Sequence, residues 1–532
     1  MSLTNLAELY RSTGRYKEAE PLLRQVLDVQ EGSGGKSHPD LVPTLNGLGR
    51  LAQLRGHYEE AISFHERALE ISRTTPGRGN SFVMASLQGL ADAHRAVGRY
   101  AEAERLLREA LDIVDPSERT QTLEMAGIMT SLADLYSTLG RYPEAERLYE
   151  TALDIRRTTL SPDHPEVANT LGDLAGLLTM VGRYTEAERK YRQALELLER
   201  SVGPDHPDVG EKLRGFAQLY YRLGRLTDSL KLQERALQIQ RKAFGPNHRG
   251  VAFSLANLAN VHFDLGEYEE AERLYRQAEG ILEKTVGTEH REFAMNLKNL
   301  AMLRLRLARY EEAETLLLRA RGVMERALGL DHPDVASMLA SLGALYMDRG
   351  RYAEAEPLLR RALEINEASF GADHLDVAET VTYLGRLFHD QGRFDDAERY
   401  YQRALGIAER TLGRESWDAG SSLADLASLA YSRGQDERAE DLYSRALQLL
   451  ERSLGPDNPR IASTFVNLSL VKRRLEKYAE AEALYRRALA LQQGVLDPDH
   501  PEMARVLGGL AEVLRLQGKD EEAEALTRHE GK

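Results

Sequence analysis

Apolar residues in this chain recur three and four positions apart, over stretches too long for strands. In "VANTLGDLAGLLTMVGRYTEAERKYRQALELLERSV" (167–202), Leu171, Leu174, Ala175, Leu177 and Leu178 fall on one helical face. The spacing predicts a helix over 165–181, opened by Pro165 and closed by Gly182. A second helix is predicted over 185–202, ended by Gly203. Thr185 and Glu188 have the spacing of a capping box at its start. Glu186 with Lys190, and Glu188 with Arg192, are placed as ion pairs on the wet face. No segment alternates as a strand would.

This two-helix pattern repeats every 42 residues. A glycine marks the register at Gly14, Gly56, Gly98, Gly140, Gly182, Gly224, Gly266, Gly350, Gly392, Gly434 and Gly518. Ala308 and Glu476 hold the two remaining places, which makes thirteen copies, numbered here from Gly14 to Gly518. An aromatic follows two residues on in most copies, as in Tyr16, Tyr184 and Phe394. Five residues on stands alanine, with Ser229 the one exception, and seven residues before the glycine the side chain is always small. Small residues at fixed points let paired helices approach closely, and the aromatic fills the space beside them. The expected fold is all-α: a solenoid of about thirteen helix-turn-helix units, read as one array over 1–532.

"GPDHPDV" (203–209) looks at first like an acid–base or metal cluster. The phrase returns as "GLDHPDV" (329–335) and "GADHLDV" (371–377), and its histidine column holds His38, His164, His206, His248, His290, His332, His374 and His500. Asn80, Ser416 and Asn458 take the same place elsewhere. A zinc site needs three or four ligands converging within about 2 Å of one point, whereas stacked helices stand roughly 10 Å apart. The column therefore reads as a helix cap at the joint between units, with Asp208 at the positive end of the next helix. Two joints, 72–85 and 114–127, lack the phrase but keep its length, so no domain boundary is expected there.

Composition narrows the function classes. Lys+Arg 70 against Asp+Glu 84 gives net −14, a poor balance for binding nucleic acid or an anionic membrane. There is no cysteine, so thiolate chemistry and disulfides are excluded. No run approaches the roughly 20 apolar residues of a membrane span, and a cytoplasmic location is expected. Both ends fall inside the repeat, which leaves open a longer parent chain. Phosphate-loop, nucleophile-elbow, metalloprotease and dinucleotide motifs are all missing. The expectation is a non-enzyme with no cofactor and no metal.

The small-residue, Gly-x-Tyr and Ala-x-x-x-Tyr-x-x-Ala spacing resembles the tetratricopeptide repeat. The 42-residue period and "GPDHPDV…GRYTEAERKYRQAL" resemble its kinesin-light-chain type, over essentially the whole chain. That resemblance implies a right-handed superhelix whose concave groove, lined by the first helix of each unit, holds an extended segment of a protein partner. Groove positions lie 13, 10, 6 and 3 residues before the marker glycine. In copies six to nine they supply Arg214, Gln218, Tyr221, Phe253, Asn260, Phe263, Met295, Lys298, Met302, Leu305 and Met347. Clustered aromatic and Met side chains with interleaved cations suit an acidic segment with one or two large apolar anchors. Arg214, Gln218, Asn260 and Lys298 partly resemble the carboxylate clamp of chaperone-binding members, with Gln218 and Met302 departing from it. The leading expectation is a protein-binding scaffold or adaptor. The alternative is a sensor region of a larger ATPase- or protease-linked signalling protein. A sparser basic set (Arg386, His389, Arg473, Arg505, Arg515) and Trp417 in its joint read as solvated surface and loop packing.

A non-glycine residue in a left-handed turn costs roughly 1–2 kcal/mol. Backbone amides around Ala308 and Glu476 should exchange with deuterium faster than those of the glycine turns; equal protection in all thirteen turns would contradict this.

Overall fold

The computed structural model describes residues 3–74, 79–113, 123–493, 495–496 and 501–527. These form 26 α-helices, two for each of the thirteen copies, and one short 3-10 turn at Pro459–Ile461. Copy five consists of Pro165–Met180 and Tyr184–Ser201, within a residue or two of the helices expected from spacing. Its predicted apolar face is the buried one: Leu171, Leu174, Ala175, Leu177 and Leu178 are all core residues. The small-residue columns are fully enclosed, as at Ala175 and Ala187, and Ser229 in the sixth copy is enclosed like the alanines it replaces. No described helix is long and apolar enough to cross a membrane.

The link between paired helices is one device used thirteen times. Gly182 takes φ 79°, its N–H donates to Thr179 O, and the N–H of Arg183 donates back to Leu178 O at 2.9 Å. This double closure satisfies carbonyls that the helix end would otherwise leave open. Ala308 (φ 55°) and Glu476 (φ 60°) adopt the same conformation and make the same bonds, from Arg309 to Arg304 and from Lys477 to Lys472. They are the two non-glycine residues with positive φ among those described. The residue after the turn adds a latch. In several copies its guanidinium lies over the ring at the end of the preceding helix, 4.1 Å for Arg15 on Tyr10, 3.8 Å for Arg141 on Tyr136 and 4.2 Å for Arg393 on Phe388.

This closure corrects the capping box expected at Thr185. The second helix starts one residue earlier, at Tyr184, and its cap position is Arg183, which makes no side-chain capping bond. The chain passes from the left-handed turn straight into the helix, so Thr185 is already inside it. Arg183 instead pairs with Glu186 at 2.8 Å and with Glu146 of the preceding copy at 2.6 Å. The predicted Glu188–Arg192 pair forms, at 2.6 Å.

The chain groups into two compact units: Met1–Phe216 with Leu232–Leu258 and Glu272–Met338, and Ala217–Lys231 with Ala259–Ala271 and Leu339–Lys532. Within the first, joints meet turns that lie 234 residues earlier in sequence. A Cβ on Gly14 would stand 2.7 Å from the His248 ring, one on Gly56 2.9 Å from His290, and one on Gly98 3.2 Å from His332. Val286 packs against the core of the first copy, which includes Ala7 and Tyr16. In the second unit the same relation places Asn458 on Gly224, with 3.1 Å to an added Cβ. At these positions glycine serves twice, through its φ and through the absence of a side chain.

The two roles separate experimentally. Gly434→Ala meets open space, so it should cost only the left-handed strain, about 1–2 kcal/mol. Gly56→Ala must also displace the His290 ring, adding about 1–3 kcal/mol. Hydrogen exchange should show the added loss at the His290 joint, and equal effects of the two substitutions would refute the second role.

Candidate functional site

The Asp-His-Pro-Asp cluster is built as a cap. The backbone N–H of Asp208 donates to His206 Nδ1 at 3.3 Å, and Glu166, Gly250, Glu292, Asp334 and Asp376 make the same bond to His164, His248, His290, His332 and His374 at 3.0–3.2 Å. Where the column changes, the chemistry persists: Ser416 Oγ accepts from Ala419, and Asn458 Oδ1 from Arg460 at 2.9 Å. His500 lies outside the described residues, as do parts of the two irregular joints. Among the described residues no group of three or more His, Asp or Glu side chains is arranged to hold a metal.

A ring nitrogen that accepts a hydrogen bond must be unprotonated. Burial holds His248 and His332 below the usual imidazole range, and pushes His290 down to about 4. The far edge of the docked caps faces the earlier turn. Asn458 Nδ2 donates to Leu223 O at 2.6 Å, the His332 ring faces the backbone at Ala96, and His290 Nε2 is buried with no hydrogen-bond partner among the described residues. Arg249, next to His248, reaches Tyr16 and pairs with Glu292 at 2.6 Å.

The residues expected to line a groove fall in both units. In the first, the Arg214 guanidinium lies 5.1 Å over the Phe253 ring, which is itself 50% exposed. Arg214 Nε is shut off from solvent with no hydrogen-bond partner among the described residues. Burial lowers the pKa of this guanidinium, and only Glu211 opposes that shift. Lys298 Nζ donates to Ser337 Oγ at 2.6 Å, Met302 is exposed, and Met295 and Leu305 are half-buried. In the second unit, Gln218 is exposed, while Asn260 and Phe263 are half-buried, the latter against Tyr268 at 5.9 Å. Tyr221 is half-buried; burial, then Asp264, raises its pKa, and Arg460 lies 5.6 Å over its ring. Met347 is a correction. At 3% exposure it is a core side chain, an unbranched thioether folded into the packing rather than presented.

Reading the first helices for cations passed over the carboxylates in the same columns. Asp92 and Asp134 stand six residues before their glycines, where copies six to eight carry Gln218, Asn260 and Met302. Burial raises both, Asp134 to about 6 even though the Tyr149 hydroxyl donates to it. Asp425, nine residues before Gly434, is raised to about 7 by burial alone. The signal was present in the sequence as acidic residues in the groove columns of copies three and four. In the basic set, Arg386 pairs with Asp348 at 2.7 Å, Arg473 pairs with Glu512, and His389 Nε2 bonds Ser432 Oγ at 2.8 Å. Trp417 begins the helix Trp417–Ser432 and is half-buried.

Comparison with known proteins agrees with this architecture. The family described as tetratricopeptide repeat matches residues 1–74, 58–115, 124–200, 171–226, 208–284, 292–347, 334–410, 418–493 and 460–529. None of the curated proteins matches the sequence. Among solved structures, BtubC (BKLC) from P. vanneervenii is 28% identical, covering 43% of this chain and 92% of its own, with a TM-score of 0.36. A protein from Podosopora anserina described as a kinesin light chain with nearly identical TPR-like repeats is 26% identical. It covers 38% of this chain and 97% of its own, with a TM-score of 0.33.

The capping chemistry predicts a pH dependence. With the folded His290 at about 4 and an unfolded histidine near 6.5, the unfolded chain takes up a proton that the folded one refuses. Stability is then full above about pH 6.5, falls as pH drops toward about 4, and levels below that, with a total of about 3 kcal/mol. His290→Asn, which installs the residue used at position 458, should keep the cap and flatten this slope. Urea titrations at both ends of the window measure it; an unchanged slope would contradict the assignment.

Proposed function

Because this chain belongs to the tetratricopeptide repeat family, whose repeats mediate protein–protein interaction, we propose that it is a scaffold holding an extended segment of a partner protein against its first helices. The segment is acidic and carries large apolar anchors. The observation that carries this reading is Arg214. Its cation is desolvated with only Glu211 opposing the effect of burial, its Nε lacks a hydrogen-bond partner among the described residues, and it borders the exposed ring of Phe253. Completing a buried charge and covering an exposed ring are both favourable, and one acidic residue beside a large apolar residue does both.

Neighbouring side chains extend the preference. In the same unit, exposed Met302 and half-buried Met295 offer adaptable apolar contacts, and Lys298 adds a second cation one pair of copies on. Leu305 adds a further apolar contact in this unit, Gln218, Tyr221, Asn260 and Phe263 belong to the second unit and form no part of this site, and Met347 is withdrawn as a core side chain. Asp92 and Asp134, in copies three and four of the same unit, would repel an acidic segment, which directs its charge to Arg214 and Lys298.

Displayed random peptides provide the test. Selection on the full chain should enrich Asp or Glu beside Leu, Ile or Phe. Arg214→Glu should weaken the selected peptides about 30-fold or more, and Phe253→Ala by less. Binding that is indifferent to Arg214→Glu, or enrichment of basic peptides, would overturn the proposal.

A further inference from the structure

Nine residues before the marker position, two of the thirteen copies carry a carboxylate: Asp173 in copy five and Asp425 in copy eleven. Their surroundings match. The charge of Asp173 acts on Tyr149 in the preceding second helix and on Tyr191 in the following one. Asp425 acts on Tyr401 and Tyr443, which hold the same two places six copies on. The difference lies in what each carboxylate holds. Lys212, twelve residues before the next marker, donates to Asp173 Oδ1 at 2.7 Å, with its side chain only 7% exposed. The corresponding residue beyond Asp425 is Thr464, which brings no charge. Among the described residues Asp425 makes no hydrogen bond and no ion pair. It is half-buried, so water still reaches it, and Ser421, Ala424 and Ser428 along the same helix face are small.

We propose that Asp425 receives a lysine side chain of a partner protein, whose ammonium takes the place that Lys212 takes at Asp173. The internal precedent carries the inference, because an equivalent carboxylate in the same fold already holds an ammonium. Burial raises the Asp425 carboxyl to about 7, and no charged group among the described residues offsets it. A carboxylate desolvated in the folded chain attracts a cation with little screening, and its desolvation cost falls on folding rather than on binding. One carboxylate between two tyrosine hydroxyls, which can accept further N–H bonds, suits a compact ammonium better than the planar fork of arginine. Asp425, Tyr401 and Tyr443 all belong to the second unit, and Arg214 to the first. The two sites prefer opposite charges, so either stands without the other.

Displayed random peptides selected on the full-length Arg214→Glu chain test it, because that background lacks the site of the first unit. Lysine-bearing peptides should be enriched. Replacing the peptide lysine by norleucine should weaken binding about 30-fold or more, and so should Asp425→Asn, which is nearly isosteric and should leave helicity unchanged. Thr464→Lys offers Asp425 a cation from within, as position 212 does for Asp173, and should abolish binding. A selection without lysine-bearing peptides would overturn the proposal. So would lysine peptides that bind Asp425→Asn as tightly as its parent, or that still bind a Thr464→Lys chain of unchanged helicity.

Discussion

The left-handed residue that closes each first helix is the constraint on which the rest depends. It reverses the chain within one residue and supplies two hydrogen bonds to carbonyls the helix would leave bare. It also starts the second helix so directly that no side-chain cap is needed. Everything that gives the repeat its sequence signature follows from the resulting close approach. Small residues sit where the paired helices touch, an aromatic fills the remaining space, and an arginine lies over the last ring of the first helix. In each unit some of these turns also receive a polar ring or amide from a joint far along the sequence. Local closure and long-range contact thus share one residue.

The joint completes the same logic from the other side. A neutral imidazole has one accepting and one donating nitrogen. In the docked joints the acceptor caps the helix that begins there, and the other edge faces the end of an earlier helix. Asparagine at 458 divides its carbonyl and amide in the same way, with the carbonyl to Arg460 N and the amide to Leu223 O. Serine at 416 caps through its hydroxyl, which accepts from Ala419 N. The variety in this column keeps one capping chemistry, and burial holds His248, His290 and His332 below the usual imidazole range.

Much of this was legible in the sequence because a repeat enforces its own consistency. Periodicity placed the helices of copy five to within a residue or two, identified Ala308 and Glu476 as left-handed, and read His206 as a cap rather than a ligand. The failures share a cause. Thr185 and Met347 were read from local rules that the neighbouring geometry overrides, a continuous turn in one case and available core space in the other. The 234-residue contact has no signature in a 42-residue pattern, because it depends on how successive units rotate. His65 is similar: it occupies the helix position of Tyr149 and Tyr191, but lies wedged between Gly49 and Gly89 and bonded to Asn46, a fit that no single copy announces. The site was legible as a set of columns, and less so as a charge pattern, since desolvation decides which of Arg214, Asp92 and Asp134 needs a partner.

The two exceptional turns show how these constraints rank. A left-handed alanine or glutamate costs roughly 1–2 kcal/mol, which an array stabilised by many neighbouring interfaces can absorb. A side chain at a turn already covered by a joint would add a steric clash, since any Cβ at Gly14, Gly56, Gly98 or Gly224 falls within 3.2 Å of a docked group. Ala308 and Glu476 stand at exposed turns, where only the first cost applies. Glycine is thus favoured by its backbone everywhere in this series and demanded by clearance only where a joint docks. A column that looks uniform in sequence carries two different requirements, and the places where it lapses are places where one of them is missing.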